Sequence, residues 1–302
     1  MKKSSATLFL LWVLLSASSI GQIDYSWWSE LHNYDGFSPW DKYIIKSPGY
    51  LGPNSLPVPE IRPARLSTNV DLQLLSDIHL SSGDNTQNIF YSLHVPVAKK
   101  KVSLQFYGVL VEHYKTDIYT RDLRRSREFD PEGFGMGDVN IATLVTLTQN
   151  RGKWPDMLLR IAFRIPSSSN LSKARFTDSP GYHFDILFNK KLTEKIEIIS
   201  MAGFYAWQAN FSKGYILYFQ NDAILYGAGL VFNTPVINIE GSFAGYSGYI
   251  DNRDSPVVLR LKTEMTIRKS RLILRIQQGL NVDFDYTTVR FGVQIPIYSL
   301  EG

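Results

Sequence analysis

The chain has 302 residues, of which 44% are hydrophobic and 20% are charged, a composition typical of a folded protein. Its net charge is +4, but Lys and Arg are scattered and accompany no nucleic-acid-binding motif, so we expect no nucleic-acid partner. The chain contains no Cys, which excludes disulfides, thiolate metal sites, cysteine nucleophiles and lipid anchors on cysteine.

The N-terminus resembles an export signal. Lys2 and Lys3 precede an apolar run over residues 8–15, and Ser19 and Gly21 frame a small-residue cleavage site. The run is too short to span a bilayer. We therefore interpret residues 1–21 as a cleaved signal peptide. No later run approaches about 18 apolar residues, so the sequence predicts either a soluble exported protein or a barrel in a bacterial outer membrane.

Residues 22–66 differ from everything that follows. A proline-rich run over residues 47–60 opposes both helix and sheet, because proline lacks an N–H. Two interpretations remain open: an extended periplasmic leader, or a plug or gate that folds into a pore. The aromatic residues that a plug would bury are Trp27, Trp28, Trp40, Tyr43 and Tyr50.

Residues 67–302 repeat one pattern to the end of the chain. In residues 257–282, Val257, Leu259 and Leu261 alternate with Arg260 and Lys262, so a strand there has one apolar and one charged face. The same alternation predicts about twelve strands, with residues 196–208 alternating least well. Their predicted ranges are 70–81, 88–97, 102–115 (with a bulge near Gly108), 138–149, 157–166, 182–192, 196–208, 223–233, 236–250, 257–269, 272–282 and 287–298.

The connections between these strands alternate in length. Short turns fall at residues 98–101, 193–195, 233–235 and 269–271, and long polar loops at residues 116–137, 167–181 and 209–222. An even strand number with this asymmetry is typical of outer-membrane barrels. The sequence thus predicts an all-β fold, a single antiparallel up-and-down transmembrane β-barrel with a non-regular N-terminal leader, monomeric, with both chain ends in the periplasm. A β-sandwich or a lipocalin-like barrel with its apolar face inward is the soluble alternative.

The charged face supplies candidate pore-lining residues of both signs. One interpretation is a constriction whose transverse field orients and selects small polar solutes. The other is an ion-pair network that fills a narrow barrel. The candidates are Asp71, Asp77, Arg160, Arg164, Glu240, Arg260, Lys262, Glu264, Arg268, Arg275 and Arg290.

No catalytic or metal site emerges from the sequence. His79 follows Asp77, and His94 follows Ser92, by two residues, so each pair shares an inward face. These pairs are consistent with an acid–base site or a Ser–His dyad. Polar inward residues are expected of any barrel, however, and no hydrolase or phosphate-loop motif occurs. We expect no cofactor and no metal. The charge-dense loop over residues 116–137 is expected to be a solvated surface, with lipopolysaccharide binding or folding into the barrel mouth as alternatives.

Three short motifs carry a family resemblance over residues 135–192. Gly135-Met136-Gly137-Asp138 opens one strand, Arg164-Ile165-Pro166-Ser167-Ser168 ends the next, and Ser179-Pro180-Gly181 closes the loop that follows. This order resembles the outer-membrane barrels labelled "MetA-pathway of phenol degradation" or putative transporter, although that group ends its strand with Lys-Leu-Pro-Thr-Gly. The proline-rich leader is similar to leaders of uncharacterised exported barrels of Bacteroidetes type. The resemblance implies transport, with no substrate or catalytic residues to transfer.

The combined expectation is a porin-like outer-membrane barrel that passively conducts small polar or aromatic solutes, with the inward charges as its selectivity region. Its expected partners are outer-membrane lipid, lipopolysaccharide and the solute. A non-conducting accessory barrel bound to subunits of an outer-membrane complex is the alternative, and an outer-membrane lipid-modifying enzyme or hydrolase is a third.

Overall fold

A computed structural model describes residues 24–210, 219–248 and 254–299. The chain divides into two compact units, one ending at Tyr43 and one beginning at Ile44. The predicted signal peptide over residues 1–21 lies outside the described residues. Within the described ranges, no helix has the length and apolar character needed to cross a membrane.

The N-terminal unit is a small aromatic cluster. Helix α1, Ser26–His32, ends where Asn33 takes a left-handed conformation with φ of 51°. The Trp28 ring contacts Tyr34 and Tyr43, with ring centroids 5.4 and 5.9 Å away. A short 3-10 helix covers Trp40–Lys42. The plug candidates Trp27, Trp28, Trp40 and Tyr43 belong to this unit.

The second unit is built on antiparallel strands that pair with their neighbours along the chain. Their bounds are β1 (Asn69–Ser81), β2 (Asp84–Ala98), β3 (Val102–Thr116), β4 (Glu132–Gly135), β5 (Val139–Thr148), β6 (Asp156–Ile165), β7 (Gly181–Lys191), β8 (Ile196–Asn210), β9 (Phe219–Asn233), β10 (Ile237–Gly248), β11 (Val257–Ile267), β12 (Ser270–Gly279) and β13 (Thr287–Ser299). Because β1 pairs with β13, twelve strands close into a barrel, and the short β4 pairs only with the end of β3, beyond the part that pairs with β5. The predicted barrel is confirmed.

The exposed fraction of the side chains shows whether the apolar face of the strands points outward or inward. On β11, Leu259 and Leu261 are 53% and 54% exposed, whereas Arg260 between them is 5% exposed. On β12, Leu274 and Ile276 are exposed while Arg275 is buried. The apolar face therefore points outward and the charged face lines the lumen. The soluble alternative with an inward apolar face is wrong for this chain.

The two ends of the barrel differ. One end, the short-turn end, contains the connections over residues 99–101, 149–155, 192–195, 234–236 and 268–269, together with the start of β1. The other, the long-loop end, contains the loops over residues 117–138 and 166–180, and the first of these includes helix α2, Ile118–Leu123. Residues 211–218 of the third predicted loop lie outside the described residues.

Two local details differ from the sequence prediction. The strand β2 begins at Asp84 rather than at Asn88, because Gly83, with φ of 82°, closes a tight hairpin at the long-loop end. The bulge in β3 falls at Leu110 rather than at Gly108, since Val109 and Val111 pair with the adjacent residues Phe90 and Ile89.

An outward-facing charge tests the orientation of the strands. Replacing Leu261 with Arg is expected to lower the free energy of unfolding from lipid vesicles by about 2–4 kcal/mol, because the side chain then faces hydrocarbon. The control Ile267→Arg lies on the same face at the strand's end, where the expected cost is about 0–1 kcal/mol. Equal losses for both variants, measured by denaturant titration, would contradict an outward apolar band.

Candidate functional site

Residues 44–66, here called the lumen segment, run through the barrel from one end to the other. At the long-loop end, the Ser47 hydroxyl donates to Asp254 Oδ1 at 2.7 Å. At the short-turn end, Arg65 donates to Glu197 Oε1 at 2.9 Å, and β1 begins three residues after the segment ends. The predicted leader, residues 22–66, is thus divided: residues 44–66, with the plug candidate Tyr50, belong to the barrel unit.

The backbone of the lumen segment is held by side chains of the barrel wall. Pro57 and Pro59 lack an N–H and favour an extended backbone that makes no hydrogen bonds of its own. Its buried carbonyl groups therefore require donors from elsewhere. All six carbonyl oxygens from Ser55 to Glu60 accept hydrogen bonds from the wall. Arg164 donates to Ser55 (2.7 Å), Tyr246 to Leu56 (3.0 Å), Tyr205 to Pro57 (3.4 Å), Arg260 to Val58 and Pro59 (2.5 and 3.0 Å), and Arg160 to Glu60 (3.0 Å).

Three of the wall arginines are anchored to the barrel by one edge of the guanidinium group. Arg160 donates from Nε and Nη2 to the two oxygens of Asp185 at 2.8 and 3.1 Å, which leaves Nη1 for the segment. Arg290 binds Asp77 in the same way. Arg260 donates from Nε to Gln277 at 2.7 Å and turns both terminal nitrogens toward the segment. The donors are thus fixed by partners that belong to the sheet.

Glu60 is the one carboxylate that the segment brings into the lumen. Its Oε1 atom accepts from Arg290 Nη1 at 2.8 Å and also pairs with Arg275. A cavity of about 710 Å³ surrounds the segment and reaches the short-turn end. Ten Arg or Lys and six Asp or Glu side chains line this cavity, an excess of positive charge.

Ten of the eleven predicted pore-lining residues lie on the lumen face of strands. They are Asp71, Asp77, Arg160, Arg164, Glu240, Arg260, Lys262, Glu264, Arg275 and Arg290. Lys262 bridges Glu240 and Glu264 at 2.9 and 3.2 Å, so opposite charges are paired along the wall. Arg268 departs from the prediction. Because β11 ends at Ile267, Arg268 falls in the turn with φ of 57° and its side chain is exposed.

Loop residues close the lumen at the long-loop end. Arg175 is 1% exposed and donates to Glu112, Asp84 and Thr86, each at 2.7 Å. A Cβ atom at Gly52 would lie 2.5 Å from the Arg175 guanidinium carbon, so only glycine allows the segment to pass this group without displacing it. The lumen segment is therefore packed directly beneath a buried ion-pair cluster.

The charge-dense loop over residues 117–138 contributes to the same closure. Arg124 is buried, pairs with Asp84 and donates to the Tyr286 hydroxyl oxygen at 2.8 Å. The expectation of a solvated surface loop is therefore wrong for this residue. Its inward position allows it to pair with Asp84 at the start of β2.

The motifs behind the family resemblance lie side by side at the long-loop end. Asp138 Oδ1 accepts from the backbone N–H groups of Ser167 and Ser168, both at 2.9 Å. Asp178 accepts from the N–H groups of Asn170 and Leu171 at 3.1 and 2.9 Å. Asp138 thus ties the start of β5 to the loop after β6, and Asp178 joins two parts of that loop, so both have a structural role.

The histidine pairs considered for catalysis bind other groups. The ring of His79 lies 2.8 Å from both Thr288 Oγ1 and Asn88 Oδ1, while Asp77 binds Arg290. The Ser92 hydroxyl accepts from Gln105 at 2.8 Å rather than contacting His94. Within the described ranges, no group of three or more His, Cys, Asp or Glu side chains is arranged to hold a metal ion.

Sequence reasoning missed Tyr205, Tyr246 and Arg175. Both tyrosines lie on the inward face of their strands, but only β10 alternates clearly enough to indicate this, because both faces of β8 are apolar. Arg175 lies in an irregular loop, where no periodicity indicates the direction of a side chain. Its burial depends on the position of the lumen segment.

No protein-family model and no curated protein matches the sequence. The fold is similar to that of an outer membrane channel from Pseudomonas putida F1, at 12% identity, covering 78% of this chain and 98% of that chain, with a TM-score of 0.51. It is also similar to the NanC porin, at 8% identity, covering 74% of this chain and 98% of that chain, with a TM-score of 0.50. At these identities the likeness concerns the fold alone.

The contact between Ser47 and Asp254 is expected to depend on pH. Burial raises the pKa of the Asp254 carboxyl to about 6, although the hydrogen bond from Ser47 acts to lower it. Between the ordinary pKa of 3.8 and about 6, the folded state therefore binds more protons than the unfolded state. This contribution to stability is greatest at low pH, falls as pH rises to about 6 and is constant above.

The variant Asp254→Asn, which stays neutral and still accepts from Ser47, isolates this effect from other titrating groups. Its thermal unfolding midpoint is expected to exceed that of the unmodified chain at pH 7.5, with a smaller difference at pH 5. A difference that is the same at both pH values would contradict a raised pKa at this carboxyl.

Proposed function

We propose that this chain is an outer-membrane channel, porin-like and passive, that admits small polar or aromatic solutes and is held closed by its lumen segment. The observation that carries the proposal is the segment itself. It fills a charged lumen, yet the strand pairings close the barrel without it. Its backbone donates from Gly52 to the loop residue Ala174 at 3.1 Å, and its other described contacts to the wall involve side chains, so it can leave without breaking the sheet.

The distribution of polarity supports the same function. The exterior exposes leucine and isoleucine along the strands, which suits contact with lipid, whereas the lumen wall is charged. The cavity beside the segment, about 710 Å³, reaches the short-turn end. We assign that end to the periplasm, as expected for an exported barrel with short turns on that side.

A non-conducting accessory barrel is the second candidate, and one observation favours it. The carbonyl groups from Ser55 to Glu60 are all bonded, and Arg175 seals the lumen above them. Such complete pairing is what a permanently filled barrel requires. The two candidates differ in whether the segment leaves the lumen.

Neutralising Glu60 is expected to open the channel. In Glu60→Gln, Arg275 and Arg290 lose their shared negative partner, and a hydrogen bond to a charged group contributes about 1.5–3 kcal/mol. The ratio of open to closed states should therefore rise roughly ten- to hundredfold in planar bilayers. The matched control is Glu264→Gln, which removes the same charge from the same cavity without touching the segment.

The outcomes separate the two candidates. More frequent openings in Glu60→Gln than in Glu264→Gln support a channel closed by the segment. Silence in the unmodified chain and in both variants would contradict conduction and favour the accessory barrel.

A further inference from the structure

Residues 55–60 occupy an array of donors that is already complete without them. The outer edges of Arg160, Arg260 and Arg290 are fixed by Asp185, Gln277 and Asp77, all of which belong to the sheet. Arg290 also lies over the Phe90 ring, 4.5 Å from its centroid. Because these anchors do not involve the segment, the inner edges stay aimed at the barrel axis when the segment is displaced.

Arg275 differs from the other three arginines. The ion pair described for it is with Glu60, and its Nε atom is buried with no hydrogen-bond partner among the described residues. Glu60 uses a single oxygen, Oε1, for both Arg275 and Arg290. A carboxylate that is not tethered to the segment is free to offer its second oxygen to Nε, which matches the two-pronged pairing that guanidinium groups favour.

The charge of the wall selects for an anion at this position. Arg160 and Arg290 have carboxylate partners on neighbouring strands, whereas Arg260 has a neutral amide and two backbone carbonyls. Removing Glu60 from the lumen therefore leaves Arg275 without its carboxylate partner and Arg290 without one of its two, while Arg260 loses the carbonyl groups of Val58 and Pro59. Leaving such charges unpaired in a confined lumen is costly.

We propose that the pocket between Arg275 and Arg290 is a binding site for small organic carboxylates, and that Glu60 is its built-in competitor. The solute's carboxylate takes the place of the Glu60 carboxylate. Arg260 and Arg160 donate to further oxygen atoms of the solute, as they now donate to the carbonyl groups of the segment. This inference rests on the proposed function, because it names the class of solute that the channel admits.

Chemical rescue tests the site without requiring conduction. In Glu60→Ala, the full-length chain in detergent is expected to unfold at a lower temperature, because Arg275 and Arg290 lose their partner. Adding propionate at about 100 mM should recover at least about half of that loss, since a ligand that binds only the folded state stabilises it. Propionamide and chloride at the same concentration should recover none, and propionate should not shift the unmodified chain, whose site is filled.

The double variant Glu60→Ala with Arg275→Met is the matched control. It removes one wall of the pocket, so the rescue by propionate is expected to disappear. If Glu60→Ala does not fold without an additive, the folded yield after refolding with propionate, propionamide or chloride gives the same comparison.

The results separate this inference from the proposed function. Rescue by propionate in Glu60→Ala, lost in the double variant, supports the site even if bilayer recordings stay silent. Equal rescue by chloride, or rescue that survives the loss of Arg275, overturns it even if the barrel conducts.

Discussion

A proline-rich segment inside a barrel has backbone carbonyl groups that the segment itself cannot satisfy. This constraint explains the most unusual feature of the lumen, the six hydrogen bonds from five side chains to the carbonyl groups of residues 55–60. Arginine suits the task because its five N–H groups bind a carboxylate on one edge and an acceptor on another. Asp185 and Asp77 hold the guanidinium groups of Arg160 and Arg290 in place.

The sheet closes independently of the segment that fills its lumen. The ladder from β1 to β13 closes through backbone hydrogen bonds alone, and its apolar exterior is complete without residues 44–66. The segment depends on side chains that the sheet positions. Arg175 extends this dependence into the loops, because it packs on Gly52 while binding acidic residues of β2 and β3. A wall that closes without the segment is what the proposed gated channel requires.

Alternation predicted the barrel, the faces of its strands and ten of the lumen charges, because a strand with one face in lipid must keep charge on the other. The pattern was weakest on β8, where Ile199 and Met201 are buried on the inner face and both faces are apolar, but the predicted strand over residues 196–208 is present as Ile196–Asn210. The sequence did not decide between a leader and a plug for residues 44–66, for a related reason. A segment without periodicity gives no signal of what surrounds it, and among the described residues its partners are spread over eight strands and distant loops.

The central claim is that residues 44–66 fill the lumen, and the absence of Cys allows a direct measurement. Ser55→Cys introduces a single thiol of nearly the same size at a residue that is 1% exposed. The account predicts that a water-soluble maleimide labels this thiol slowly in the folded barrel and rapidly after unfolding, whereas a control thiol at the exposed turn residue Thr193 reacts at once. Labelling of Ser55→Cys as fast as that of Thr193→Cys in the folded barrel would contradict it.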